Sequence, residues 1–252
     1  RNFPINNLKL LASEKSAGEK LFFRNEELLV EKLDDDSFNG VEIALFSAGS
    51  YVSEKYAPIA AEAGCTVIDN GSFWRMNKNV PLLVPEVNPE DIKNHKGIIA
   101  NPNCSTIQMV TALKPIYDKY GIERIICSTY QSISGAGQKG VDKLMNEINN
   151  KDFIPKKDSI AFNTIFHPVK TEDGFTVEEI KMLNETQKIF NDTGIQIAVT
   201  CVRLPLLGGH GESLNLELKK SFEINDIRQL LKNSQGIVLM DDLQNENFPT
   251  VA

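Results

Sequence analysis

Short apolar segments alternate with amphipathic ones between residues 41 and 120, and that alternation leaves few folds open to this chain. Residues 41–46 (VEIALF) read as a buried strand that ends in Ser47-Ala48-Gly49-Ser50. A helix then runs through Tyr56, Ile59, Ala60 and Ala63, Gly64 stops it, and residues 66–69 (TVID) form a second strand. Such a unit implies a parallel sheet with helices on its faces. Another strand is predicted over 97–100, a Pro-containing turn at 101–103, and a helix over 104–120 with Ile107, Val110, Leu113 and Ile116 on one face.

Beyond residue 120 the pattern changes. Long strands are predicted over 122–131 and 195–204, and residues 214–219 (LNLELK) alternate as in a sheet with one wet face. Helices fall at 140–150, 176–191 and 224–233, with Thr176 and Glu179 spaced as a capping box. This half reads as a larger mixed or antiparallel sheet with helices on one side. The break falls near residue 103. With 252 residues, 41% hydrophobic and 24% charged, the chain can bury the cores of one large or two modest domains.

Thirty-four acidic against 27 basic residues give a net charge of −7, which argues against nucleic-acid or anionic-membrane partners. No run approaches the roughly 20 apolar residues of a bilayer span. Cys65, Cys104, Cys127 and Cys201 lie far apart, without metal-ligand spacing, and suit a reducing cytoplasm. The chain opens Arg1-Asn2-Phe3-Pro4 without Met and closes near Asn247-Phe248-Pro249-Thr250, so it reads as cut at both ends.

The chemistry concentrates in two places. In Asn101-Pro102-Asn103-Cys104-Ser105-Thr106 a strand ends and a cysteine opens a helix. Helix N-termini carry unpaired N–H groups and partial positive charge, which lower a thiol pKa from about 8.5 and suit an oxyanion. The bland alternative is a small residue at a helix start. In residues 203–212 (RLPLLGGHGE) a strand delivers Arg203, the chain breaks at Pro and paired Gly, and His210 stands in the loop before the next strand. An imidazole is what a cysteine nucleophile needs near neutral pH. Of the other histidines, His95 lies in a charged connection and His167 beside Pro168 in a loop.

NPNCST (101–106), YQSISGAG (130–137) and RLPLLGGH (203–210), in this order, resemble the signature of the aspartate-semialdehyde dehydrogenase family. VIDNGSFWRM (67–76), VPLLVPEVNP (80–89) and EEIKMLNET (178–186) support the resemblance, which spans nearly the whole chain. It implies an α/β chain: a Rossmann-like NADP-binding domain over 1–103, and an α+β catalytic and dimerisation domain over 104–252. The family's first strand, its glycine-rich turn and its C-terminal return segment are absent here. The stretch 163–168 (NTIFHP) also departs from the family pattern.

Residue by residue, the resemblance makes Cys104 the thioester nucleophile, His210 the acid/base and Gln131 the group that orients substrate and acyl intermediate. Arg203 binds the substrate carboxylate, Glu178 its α-amino group, and Lys181 and Arg75 the phosphate. Asn103 joins the substrate set. Read without the family, Glu178 and Lys181 are an ordinary i,i+3 surface pair. Ser13, Lys15 and Ser16, after a strand at 8–12, favour NADP over NAD, while Glu14 points mildly the other way. Ser47, Ala48 and Gly49 lie against the cofactor, and Ser134 and Gly135 meet its nicotinamide side. The implied reaction is NADPH-dependent reduction of L-aspartyl-4-phosphate to aspartate semialdehyde and inorganic phosphate by a homodimer or tetramer. Its rivals are a related reductase of another acyl phosphate or acyl-CoA, and a catalytically silent nucleotide-binding paralogue.

Overall fold

The computed structural model describes residues 3–251 except Lys170, Leu243 and Asn247. Arg1, Asn2 and Asn247 of the two chain ends therefore lie outside the described residues. The chain forms two compact units, one of residues 1–81 and 93–101, the other of residues 82–92 and 102–252.

The first unit holds two three-stranded sheets. In one, β1 (Leu10–Ala12) pairs in parallel with β3 (Glu26–Lys32), which pairs antiparallel with β2 (Lys20–Phe23). The sequence reading did not foresee this hairpin. Its signal is weak, since its two turn residues Arg24 and Asn25 take positive φ without glycine. The other sheet is wholly parallel in the order β4 (Ile43–Phe46), β5 (Thr66–Asp69), β6 (Ile98–Ala100). The crossover helix α1 (Ser50–Glu62) buries Ser53, Ala57 and Ala60, one residue per turn. Gly97 is required here: at φ +92 its absent Cβ would stand 2.6 Å from Ala61 Cβ, so helix and strand meet only because it has no side chain.

The second unit is built on a four-stranded mixed sheet in the order β10-β7-β9-β8. These are β7 (Ile122–Gln131), β8 (Ile165–Phe166), β9 (Gln196–Arg203) and β10 (His210–Leu218). β7 runs antiparallel to β10 and parallel to β9. Helices α2 (Cys104–Tyr120) and α4 (Val177–Phe190) pack against the sheet, with α3 (Gln138–Asn149) and α5 (Ile224–Lys232) beside them. Thr176 and Glu179 form the capping box, with the Thr176 N–H donating to Glu179 at 2.8 Å. Strand periodicity sends Ile125, Cys127, Thr129 and Gln131 of β7 to the buried face, while Ile126 and Tyr130 stay exposed on the other.

Register stacks that buried face in rows. Ile125 lies between Leu216 and Ile197, and Cys127 between Leu214 and Val199. The next row is Glu212, Thr129, Cys201, and the last is His210, Gln131, Arg203. The rows change from apolar to polar toward one end of the sheet. The reactive groups sit at that end.

Candidate active site

Cys104 enters this site from α2, whose first turn faces the end row. Its Sγ lies 3.1 Å from His210 Nε2. His210 is the first residue of β10 rather than a loop residue, which corrects the sequence reading. The flanking Gly209 and Gly211 had masked the alternation. A strand backbone paired with Gln131 fixes the ring more firmly than a loop.

The ring is held from behind. Ser132 N–H lies 3.0 Å from Nδ1, while the Gly209 carbonyl lies 2.8 Å from the same atom. The amide favours a bare Nδ1 and the carbonyl a protonated one. Both arrangements leave Nε2 as the atom that exchanges a proton with the sulfur. Ser132 also accepts from Arg203 Nη1 through its carbonyl at 3.0 Å, so this buried residue joins His210 to Arg203. Nothing in the sequence singled it out.

The expectation of a lowered thiol pKa at Cys104 is not met. Although Cys104 is an exposed residue, desolvation around its sulfur raises the thiol pKa, and Glu178 adds to that rise. The N–H groups of Ser105 and Cys104, and then Arg203, oppose it without prevailing. The helix start is also largely spent. Asn103 Oδ1 accepts from Ser105 N–H at 3.0 Å and Thr106 N–H at 3.3 Å, and Asn103 N–H donates to Glu185 at 2.6 Å. His210 Nε2, at 3.1 Å, is the base placed within reach of this sulfur.

Asn103 also has a structural job. Its oxygen caps α2 and its Nδ2 donates to Glu178 Oε1 at 2.6 Å, so it builds the site's wall. Glu178 Oε2 accepts from Lys181 Nζ at 3.1 Å. Burial is the largest influence on Glu178 and pushes its pKa up. Lys181, Asn103 and His167 together outweigh it, and the carboxyl ends below its ordinary value. Glu185, 1% exposed and two turns further along α4, grips the Asn103 amide and was missed because a glutamate at helical spacing reads as surface.

Gln131, 1% exposed, donates through Nε2 to Ser105 Oγ at 3.0 Å. Its Oε1 lies 3.1 Å from Nε2 of His167, a histidine the sequence had set aside. Ser134 and Gly135 lie in the turn after β7. Ser134 Oγ meets Ser132 Oγ at 2.8 Å, and a Cβ on Gly135 would stand 3.4 Å from Arg203 Nη1 and 3.8 Å from the His210 ring. The structure thus gathers Cys104, His210, Gln131, Arg203, Glu178, Lys181, Asn103, Ser134 and Gly135 in one unit.

The other candidates belong to the first unit. Arg75 is 7% exposed, and its guanidinium donates to the carbonyls of Gly71 at 3.1 Å and Asn70 at 3.0 Å. The turn after β1 closes when Ser16 and Ala17 N–H donate to Ser13 O at 3.0 and 3.1 Å. Ser13 and Lys15 are exposed there, and Glu14 turns away to pair with Lys32 at 3.2 Å. The hydroxyls and the lysine of this turn are groups that fit the 2′-phosphate of NADP. After β4, Ser47 and Ala48 are exposed and Gly49, at φ +87, starts α1 with no side-chain cap. That start leaves N–H groups for a cofactor oxygen.

Among the described residues no three His, Cys, Asp or Glu side chains are placed to hold a metal ion. No helix among them is long and apolar enough to cross a membrane.

Comparison with known proteins agrees with this geometry. Residues 1–95 match the semialdehyde dehydrogenase NAD-binding domain, and residues 113–252 match the semialdehyde dehydrogenase dimerisation domain. The chain is 51% identical to an aspartate-semialdehyde dehydrogenase of Aquifex aeolicus, covering 99% of this chain and 76% of that protein. Among solved structures, aspartate semialdehyde dehydrogenase II of Vibrio cholerae complexed with ASA superposes with a TM-score of 0.91 at 45% identity, covering 99% of this chain and 76% of that one. The Candida albicans aspartate semialdehyde dehydrogenase with NADP gives 0.70 at 26% identity, covering 89% and 68%. With a cysteine and a histidine in contact at the end of a mixed sheet, and two matching domain models in order, this chain belongs to the aspartate-semialdehyde dehydrogenase family.

Proposed function

We propose that the chain reduces L-aspartyl-4-phosphate to L-aspartate-4-semialdehyde and phosphate, reversibly, with NADPH. The observation that carries this reading is the 3.1 Å approach of Cys104 Sγ to His210 Nε2, in a site walled by Arg203, Glu178 and Lys181.

Arg203 offers a planar guanidinium to the substrate's α-carboxylate, with one Nη1 bond to Ser132 O fixing its direction. Glu178 keeps lone pairs for the α-ammonium, and Lys181 lies beside it for the phosphate; the family resemblance assigns Arg75 to the phosphate as well. His210 Nε2 takes the Sγ proton as sulfur attacks C4. The C4–O bond to phosphate breaks, the departing phosphate receives the proton, and Cys104 holds a thioester. The Cys104 N–H and the Gln131 amide face the oxygen on which charge develops. NADPH, when bound, supplies the hydride, and the residues fitted to hold it are Ser13, Lys15, Ser16, Ser47, Ala48, Gly49, Ser134 and Gly135. The thiohemiacetal oxyanion then collapses to the aldehyde, and His210, reprotonated from solvent after giving the Sγ proton to phosphate, protonates the leaving sulfur.

Glu178 and Arg203 together suit a free amino acid, which favours this substrate over N-acylated or CoA-linked ones. A free catalytic thiol and a reduced nicotinamide suit the cytoplasm, and the dimerisation domain suits a homodimer or a dimer of dimers. Phosphate-dependent NADP reduction with aspartate semialdehyde is the test, run beside N-acetylglutamate semialdehyde and malonate semialdehyde. Wild type should turn over only the first, and Cys104→Ala should lose essentially all of it. Retained turnover in Cys104→Ala would remove the thioester from the mechanism.

A further inference from the structure

The segment around His167 departs from the family pattern, and its ring ends up in the reaction site. β8 adds a fourth member to the end row, because Ile165 pairs with Arg203. His167 follows β8 directly, and Pro168 after it confines the His167 backbone to extended geometry. A bridge from Val169 to Thr176 then leads the chain into the cap of α4, the helix that carries Glu178 and Lys181. One short connection therefore sets the ring and the substrate-binding carboxylate against the same place.

A buried primary amide has two ends of equal shape and opposite polarity, and its partners alone decide which way it faces. Gln131 has one partner at each end: Ser105 Oγ at 3.0 Å from its nitrogen, and His167 Nε2 at 3.1 Å from its oxygen. A hydroxyl accepts or donates equally well, so Ser105 does not choose. With the Gln131 oxygen as acceptor, Nε2 of His167 must carry the proton, and an Nε2–H, a donor only, holds the oxygen end toward itself. The amide nitrogen then points to the mouth of α2 with one N–H beyond the Ser105 bond. The ring's charged neighbours are Glu178, Glu179 and Lys181 of α4 and Arg203 of β9. Burial is the largest influence and lowers the ring's pKa, Arg203 and Lys181 act in the same direction, and the two glutamates pull it up without prevailing.

Resting on the function proposed above, we infer that His167 is a positioning residue, whose Nε2–H turns the Gln131 amide so that its second N–H meets the substrate's C4 oxygen. Without it the amide is free to flip and present its own oxygen to the developing negative charge. His167 touches no reacting atom. Its effect passes through Gln131.

The test compares His167→Ala and His167→Gln with wild type in the phosphate-dependent assay, with Tm and the rate of Cys104 alkylation by iodoacetamide measured on each. His167→Ala should lose kcat roughly ten- to a hundredfold, as expected for a misdirected oxyanion donor, with KM within about threefold and alkylation unchanged. His167→Gln, which keeps an N–H donor, should recover most of kcat. The inference is overturned if His167→Ala keeps its kcat, if His167→Gln is no better, or if the loss follows KM or folded fraction alone. A wild type without the activity would sink the proposed function, and this role with it. An active wild type beside an equally active His167→Ala would sink only the role of His167.

Discussion

Two neighbouring rows of one sheet differ by two residues along each strand and by everything in their chemistry. The end row, His210, Gln131 and Arg203, is polar and well supplied with partners: a sulfur, a serine hydroxyl, a second imidazole and a backbone carbonyl. The row beneath it, Glu212, Thr129 and Cys201, is also polar, yet Glu212 Oε1 and Thr129 Oγ1 are buried with no hydrogen-bond partner. Burial drives the Glu212 pKa up to about 8, against weaker pulls from Gln108 and His210. Burial likewise pushes the Cys201 thiol to about 12. Polarity in a sheet is thus put to use only where the row opens onto substrate. One step deeper, the titratable side chains Glu212 and Cys201 are both pushed toward their uncharged forms.

The difference can be broken most severely at the end row. His210→Asn should cut kcat by about 10²-fold or more, the usual range for a lost general base. Because the Cys104 thiol pKa is raised in the folded chain, alkylation of that cysteine in the variant should keep climbing above pH 9. A plateau near neutral pH would show a thiolate formed without His210.

The deeper row should answer to pH before it answers to substrate. Glu212 has a folded pKa raised above its ordinary value of 4.5, so its contribution to stability is full below that value and is lost as pH rises through about 8. Tm of wild type should fall between pH 5 and pH 8, by an amount equivalent to a few kcal/mol. Glu212→Gln, which cannot ionise, should show a flatter profile and be the more stable protein at pH 8. Parallel profiles would mean that the carboxyl is solvated. Least affected should be Thr129→Val, which removes an unpartnered hydroxyl at nearly constant shape. It should change stability by under about 1 kcal/mol and leave kcat alone. A loss of several kcal/mol would reveal a partner for Oγ1.

Much of this arrangement was legible in the sequence because it follows from periodicity. The helix from Cys104 to Tyr120 and the strand from Ile122 to Gln131 fall where the apolar spacing puts them. The reactive pair was legible because a cysteine at a helix start and a histidine beside paired glycines are scarce in 252 residues. What stayed hidden depends on side chains meeting across the fold. Glu185 and Glu212 look like solvated carboxylates until α2 is laid over them, and His167 looks idle until β8 pairs with β9. The direction of the Cys104 pKa shift was misjudged for a related reason. A helix start was weighed without the asparagine that occupies its N–H groups or the glutamate that stands nearby.

The ladder between β7 and β10 keeps one frame from His210 to Glu217 and slips only between Glu217 and Leu218. Adding or deleting a single residue on the reactive side of that slip would send His210 to the opposite surface of the sheet. The far end tolerates a miscount, since a bulge there absorbs it without turning any reactive group. Length variation among natural descendants of this chain should therefore gather around residues 219–223, or in the connection at 204–209 between β9 and β10. It should spare the nine residues of β10 that carry the imidazole into place.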